Sequence, residues 1–271
     1  MGVTTVDVSS QELGDQEQQW AVRCDLAACC QLVDLYGMSD FPGTHITARV
    51  PGTSDHFFMT PPGIHFGEMK ASDLVEVGPD GKAVGEGMPP INYAGFVIHS
   101  AVYSVRPDVA CVVHTHTEPV NAVGMMREGL LPITQKALLL WDAVRYHEFE
   151  GAALDLEERQ RLGEDLNDGW CMILKHHGGL TVGRTVGEAF SWTLKLEVAC
   201  KHQVTGLSCG RELEWLSPEV VEKTIEQGRR FRAARLEREA NGLQWSALMG
   251  DLEWPAYLRK LERERGGGWR Q

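Results

Sequence analysis

The sequence predicts an α/β domain whose strands form a mixed, mainly antiparallel sheet. Three observations predict it: a hairpin pattern near residues 45–60, two apolar runs that each lead into histidines, and long stretches with apolar residues at helical spacing. A length of 271 residues supports one large domain with a substantial core. No internal repeat or long linker divides it.

Taken in order, residues 1–15 are polar and acidic and read as a disordered tail. From Gln16 to Tyr36, Trp20, Val22, Leu26, Cys30 and Val33 recur at helical spacing, and Gly37 supplies a stop. HITARVPGTSDHFFMTPPG reads as a hairpin with strands near His45–Val50 and His56–Thr60. Leu74–Val77 forms a strand before a Gly-Pro-Asp-Gly turn, and Ala94–Ser104 a helix that ends at Arg-Pro-Asp. Val109–Thr115 is an apolar strand running into His-Thr-His. Trp170–His176 is a second, followed by Gly-Gly and a short Leu-Thr-Val-Gly strand. Thr185–Val204 is a long amphipathic helix, and helical stretches over Pro218–Ala240 and Trp254–Glu264 close the chain. The expected organisation is a tail (1–15), a core domain (16–210) and a helical C-terminal extension (211–271). Trp254, Tyr257, Leu258 and Leu261 in that extension need a partner surface, on this subunit or another.

A net charge of −12 argues against nucleic-acid and anionic-membrane surfaces, both of which need clustered Lys and Arg. No run of about 18 apolar residues suggests a membrane span, and the polar N-terminus does not resemble a signal peptide. Seven scattered cysteines without a CxxC spacing read as reduced thiols, mostly buried. The cytoplasm is the expected compartment.

The sharpest chemical feature is Cys111-Val112-Val113-His114-Thr115-His116. Residues i and i+2 of a strand share a face, so His114 and His116 project together, a geometry suited to chelating one metal. A third imidazole is available where the second apolar run reaches Lys175-His176-His177-Gly178-Gly179, from His176 or His177. Three imidazoles with open positions are what a catalytic metal requires. His99 and Tyr103, at i and i+4 of one helix, share a face and are candidates for acid/base chemistry. Glu118, two residues beyond His116, is a further candidate base or ligand, and Arg49 a candidate clamp for a carboxylate. Lys136 and Lys175 sit in no constellation that suggests a Schiff base, and the glycines around Gly178 do not follow the dinucleotide pattern.

PDVACVVHTHT, followed about sixty residues later by ILKHHGGLTVGRTVGEAF, resembles the motifs of the class II aldolase/adducin superfamily. GTHITARVPG, FFMTPPG, SDLVEVGPDG and INYAGFVIHSAVYSVRPDV resemble its earlier segments in the same order, from about Trp20 to Leu207. The resemblance implies a three-layer α/β/α fold, a ring-shaped homotetramer with sites between subunits, and one divalent metal per subunit. Zinc is the first candidate, with iron or manganese as alternatives. In this family the third ligand is the His immediately before Gly, here His177, and His176 takes the place of an Asn.

The departures point to substrate. The family's sugar-phosphate aldolases carry a catalytic Glu nineteen residues before the first metal His, and that position here is Gly95. Thr44-His45 and Tyr93-Ala94 replace the Gly-Asn and Ser-Ser that serve phosphate binding. Phosphate needs backbone NH groups and small donors. His45, Arg49, Tyr93, Gly95 and His176 are therefore expected on the substrate side, with volume vacated at Gly95 for a bulkier planar acid. The function expected is a metal-dependent lyase, cleaving or decarboxylating a small non-phosphorylated oxo- or hydroxy-carboxylic acid, a class that includes aromatic acids. The alternatives are an Fe(II)-dependent oxygenase of the same fold and a non-catalytic adducin-like binding module.

Overall fold

Alternation along each strand sorts side chains onto two faces, and a computed structural model of the chain shows what covers each. The structure describes residues 8–151, 157–240 and 249–271. Seven strands, β1 (His45–Arg49), β2 (Phe57–Met59), β3 (Val75–Val77), β4 (Cys111–Thr115), β5 (Val144–His147), β6 (Cys171–Leu174) and β7 (Gly178–Gly183), form one sheet in the order β3-β2-β1-β4-β7-β6-β5. Every neighbouring pair is antiparallel except β5 and β6. The sheet is mixed and mainly antiparallel, as expected, with helices on both faces.

On one face, Ile46, Ala48, Cys111 and Val113 pack against α1 (Val8–Leu35), α6 (Val186–Ser208) and α8 (Met249–Arg265), in a core that includes Leu26, Leu32 and Phe190. On the other, Val112, Met172, Leu180 and Val182 lie under α2 (Tyr93–Val105) and α5 (Glu158–Leu166), through Ile98, Ala101 and Leu162. Cys111 and Val113 thus face one layer and Val112 the other, the period of two that a strand imposes. His114 follows Val112 in this alternation and belongs to the α2 side. A third apolar cluster joins β5 and β6 to α3 (Glu118–Met125), α4 (Gln135–Leu140) and α6.

Local signals set the helix ends. Asn92 caps α2 by accepting from Gly95 N at 3.1 Å, and Thr185 caps α6 by accepting from Glu188 N at 3.0 Å. α7 (Pro218–Ala240) spans the expected residues. α1 begins at Val8, ahead of the expected start at Gln16; residues 1–7 of the expected tail lie outside the described residues. The second apolar run leaves the sheet at Leu174, because residues 175–177 form a tight turn closed by His177 N donating to Leu174 O at 3.1 Å.

The apolar residues of α8 find their partner within this chain. Trp254 packs edge-on to Phe190 and donates from Nε1 to Asp25 at 2.9 Å. Tyr257 stacks edge-on against Phe190 and Tyr36, and Leu261 is fully buried. These side chains therefore supply no argument for association between subunits. Among the described residues, no helix is long and apolar enough to cross a membrane.

Candidate metal centre

β4 delivers His114 while still paired on both sides, to β1 and β7. His116 follows just beyond the strand. The hairpin between β6 and β7 then brings His177 up to them from the far side of β7. One nitrogen from each of the three rings lies within 4.8 Å of the others. The rings of His114 and His116 are 4.5 Å apart between centroids, and His177 is 4.8 Å and 4.9 Å from them.

Hydrogen bonds decide which nitrogens face inward. His114 Nδ1 is 3.0 Å from the Gly179 carbonyl oxygen, which only accepts, so this nitrogen carries the proton. His116 Nδ1 is 3.0 Å from Asp40 Oδ2, again an acceptor. Burial raises the Asp40 pKa, but hydrogen bonds from Thr44 and His116 and the nearby imidazole outweigh it and leave it lowered, so the carboxylate is ionised. When both rings are neutral, protonated Nδ1 atoms leave lone pairs on both Nε2 atoms, and these stand only 2.7 Å apart. Two such lone pairs repel unless a cation or a shared proton lies between them. Burial first, and neighbouring imidazoles second, pull His114 well below the usual imidazole range and His177 down to about 4. Neutral imidazoles are what a bound metal requires, and outer partners orient two of the three rings, His114 and His116.

Glycines let the rings close up. A Cβ on Gly178 would stand 2.4 Å from Thr115 O and 2.8 Å from His116 Cδ2; one on Gly43 would meet His116 Nδ1 at 2.5 Å and Asp40 Oδ2 at 2.7 Å.

A family model for the Class II Aldolase and Adducin N-terminal domain matches residues 24–204. The chain belongs to the class II aldolase and adducin family. It is 41% identical over 251 residues to a Caulobacter vibrioides protein of aldolase class 2, covering 93% of each chain. It is similar to the crystal structure of an aldolase II superfamily protein from Pseudomonas syringae, with 40% identity, a TM-score of 0.83, and 94% and 96% of the two chains covered. Over 190 residues, 69% of this chain, it is 43% identical to alpha-adducin of Mus musculus, of which it spans 26%.

Within this aldolase-type domain the remaining candidate residues separate. His176 is exposed at the tip of the turn, with φ +57°, and takes no part in the triad. Its position is a backbone requirement, since Asn, Asp and His are the side chains that best tolerate that conformation. Arg49, the candidate carboxylate clamp, is held by backbone carbonyls. Its Nε donates to Val109 O at 2.7 Å, Nη1 to Ser54 O at 2.9 Å, and Nη2 to Tyr103 O at 2.8 Å and Arg106 O at 3.3 Å. Glu118 is exposed at the first position of α3, where a carboxylate suits the helix dipole. Tyr93 is 46% exposed, with its ring 5.9 Å from that of Phe96, and it is the neighbouring Asn92 that lines the cavity beside His45.

The expected vacancy at Gly95 is filled. A Cβ there would meet Met59 Cε at 2.6 Å and His45 Cγ at 3.0 Å. His45 thus occupies the space over Gly95. It lies directly opposite His114 across the β1–β4 ladder, with ring centroids 4.7 Å apart. Behind it, His99 and Tyr103 are buried between α2 and the sheet and do not themselves reach the triad: His99 Nε2 is 2.8 Å from His45 Nδ1, and Thr47 Oγ1 bridges His99 Nδ1 at 2.6 Å and Tyr103 OH at 2.9 Å.

Asp40 and Thr47 were not singled out by sequence. Nor was His147, buried at the end of β5, with Nδ1 2.7 Å from Asp165 and Nε2 3.5 Å from Glu158, in a small cavity that His177 also borders.

Proposed function

We propose that this protein is a divalent-metal-dependent lyase acting on a small, non-phosphorylated oxo- or hydroxy-carboxylic acid. The observation that carries this reading is the pair of imidazole lone pairs facing one another at 2.7 Å, with both outer nitrogens already committed to acceptors. His114, His116 and His177 would hold the metal through neutral nitrogens, and zinc suits such a donor set, with iron and manganese as alternatives. When bound, the cation would supply Lewis-acid stabilisation of developing negative charge on a chelated substrate.

The chain's own residues shape the rest. No carboxylate stands at position 95, so aldolysis that depends on a positioned Glu loses its base. Decarboxylation fits this arrangement because it needs no base to remove a proton from carbon. His45 lines the cavity beside the triad together with Thr44, Asn92 and Thr60, and is the group nearest to hand for an anionic oxygen of the substrate.

The similarity to alpha-adducin favours a second reading, a binding module without catalysis. We also infer a homo-oligomer, a tetramer by family resemblance; light scattering that gives the 30.1 kDa chain mass at micromolar concentration would remove that inference.

One assay tests the main reading. Zinc-, iron- and manganese-loaded protein is incubated with a panel of oxo- and hydroxy-acids and, beside it, fuculose and ribulose phosphates. The expected result is turnover of an acid and a sugar-phosphate rate lowered by about 10²–10⁴-fold, the usual effect of losing a general base. Efficient sugar-phosphate turnover would contradict it. Activity on neither class, in protein that binds no metal, would favour the binding module. Dioxygen consumption with iron alone would indicate an oxygenase.

A further inference from the structure

The buried chain of polar groups behind His45 runs in one direction. Tyr103 is buried, and among the described residues its hydroxyl has one hydrogen-bond partner, Thr47 Oγ1 at 2.9 Å. Arg49 lies over its ring at 4.5 Å, a donor that cannot take the phenolic proton. That proton therefore goes to Thr47. Thr47, fully buried, has a single proton of its own and one remaining contact, His99 Nδ1 at 2.6 Å. Nδ1 of His99 is then an acceptor, so the neutral ring carries its proton on Nε2 and donates to His45 Nδ1 at 2.8 Å. By the same logic neutral His45 carries its proton on Nε2.

The opposite direction would require Thr47 to donate to Tyr103 and would leave the buried phenolic proton without an acceptor. One unsatisfied buried group shifts such an equilibrium by about fivefold or more. Both rings are buried, His45 4% and His99 0% exposed, and burial favours the neutral imidazole.

We propose that Tyr103, Thr47 and His99 are positioning residues that fix His45 as its Nε2–H tautomer, so that a neutral N–H donor faces the carboxylate or developing oxyanion of a hydroxy-acid bound beside the triad. The geometry explains two further features. A protonated Nε2 has no lone pair for a metal, so His45 stays out of the ligand set although its ring lies 4.7 Å from that of His114. A Cβ on Gly95 would stand only 3.0 Å from His45 Cγ, so the glycine leaves room for the ring in this orientation. The inference rests on the proposed hydroxy-acid chemistry for its ligand, but the tautomer follows from the hydrogen bonds alone.

The test is tautomer-sensitive ¹H–¹⁵N NMR on the full chain labelled at histidine, with and without zinc, His45 and His99 being assigned from His45→Gln and His99→Gln. Both rings are expected in the Nε2–H form in either state. Thr47→Val removes the bridging hydroxyl at nearly constant volume and should leave His45 exchanging between tautomers, while Thr47→Ser retains the wild-type pattern. Glycolate added to zinc-loaded protein should move the His45 Nε2–H resonance, and Thr47→Val should weaken glycolate binding by about three- to tenfold, less than the loss of a whole hydrogen bond to a charged group. A wild-type His45 protonated on Nδ1, a Thr47→Val spectrum identical to wild type, or glycolate binding that leaves the His45 signal unmoved would each overturn the inference. Protein that shows the Nε2–H pattern but binds neither zinc nor glycolate would sink the metal-dependent lyase and the donor role of His45 while leaving the tautomer assignment intact.

Discussion

His45 and Arg49 stand at opposite ends of the same five-residue strand, and both are polar residues that invite a role in substrate binding. Their surroundings differ completely. Four residues of extended chain separate them by roughly 13 Å, which puts one beside the triad and the other among backbone carbonyls. Arg49 spends four of its five N–H donors on backbone carbonyl oxygens, which ties its guanidinium to the fold at the far end of the strand. His45 has one nitrogen engaged, by His99, and one left over. The difference teaches that a polar residue is available for function when it stands beside the site with a polar atom that the fold does not use.

Replacing Arg49 should give the largest effect on stability and none on metal stoichiometry. Arg49→Ala removes charge-assisted bonds and leaves carbonyls unsatisfied, so chemical denaturation should show a loss of about 2–4 kcal/mol. A variant of unchanged stability that fails to bind an acid would make Arg49 a ligand-binding residue after all and reverse the comparison.

At the other end, Gly95→Ala drives a methyl into Met59 and His45. Overpacking of this kind costs about 1–3 kcal/mol, and here it should also weaken binding of acids, since His45 must move. Thermal melts read beside ligand titrations check this; a stable variant with wild-type acid binding would show that the volume over Gly95 is not reserved for His45.

Asp40→Asn sharpens the account of the triad. An amide can present either oxygen or nitrogen to His116 Nδ1, so the outer partner no longer fixes the ring. Zinc affinity should fall by about 10–100-fold, measured by chelator competition, with stability little changed. Equal affinity would mean that Asp40 does not orient His116.

The smallest effect is on pH dependence. Imidazoles with lowered folded-state pKa bind protons more readily in the unfolded chain, whose value is about 6.5. Above that pH both states are neutral and the groups make no difference. As pH falls from about 6.5 toward the lowered values, about 4 for His177, metal-free protein should lose up to about 1.4 kcal/mol per pH unit per buried histidine. Melting temperatures of chelator-treated protein between pH 7.5 and 5 should decline, and the Arg49→Ala difference should stay constant across that window. A flat profile would contradict the burial of neutral His45, His99 and His114.

How much of this was legible in the sequence depends on whether a feature is periodic. His114 and His116 follow from strand alternation, and β1, β2, α2, α6 and α7 from regular spacing and turn residues. α3, α4, α5 and β5 are short, four to nine residues, and too brief for a period to emerge. The ends of β1 could not be told apart, because alternation gives the face of a residue and not its distance from the site. The family motif singled out His177, whereas spacing alone left it level with His176 until the turn geometry separated them. Asp40 lies in a loop where no repeat marks it, and Thr47 reads as an ordinary strand residue. Sequence shows that position 95 lacks a carboxylate, but it does not show that the imidazole of His45, the first residue of β1, folds over that position.

The most direct test of the central claim is zinc binding by isothermal titration to wild-type, His114→Ala, His116→Ala, His177→Ala and His176→Ala proteins, with circular dichroism to confirm that each is folded. The predicted result is one zinc per chain for wild type and for His176→Ala, and affinity reduced by more than about 10²-fold, beyond the effect of an outer partner, in the other three. A folded wild-type chain that binds no zinc, iron or manganese, or a His176→Ala variant that loses the metal while His177→Ala keeps it, would contradict the account.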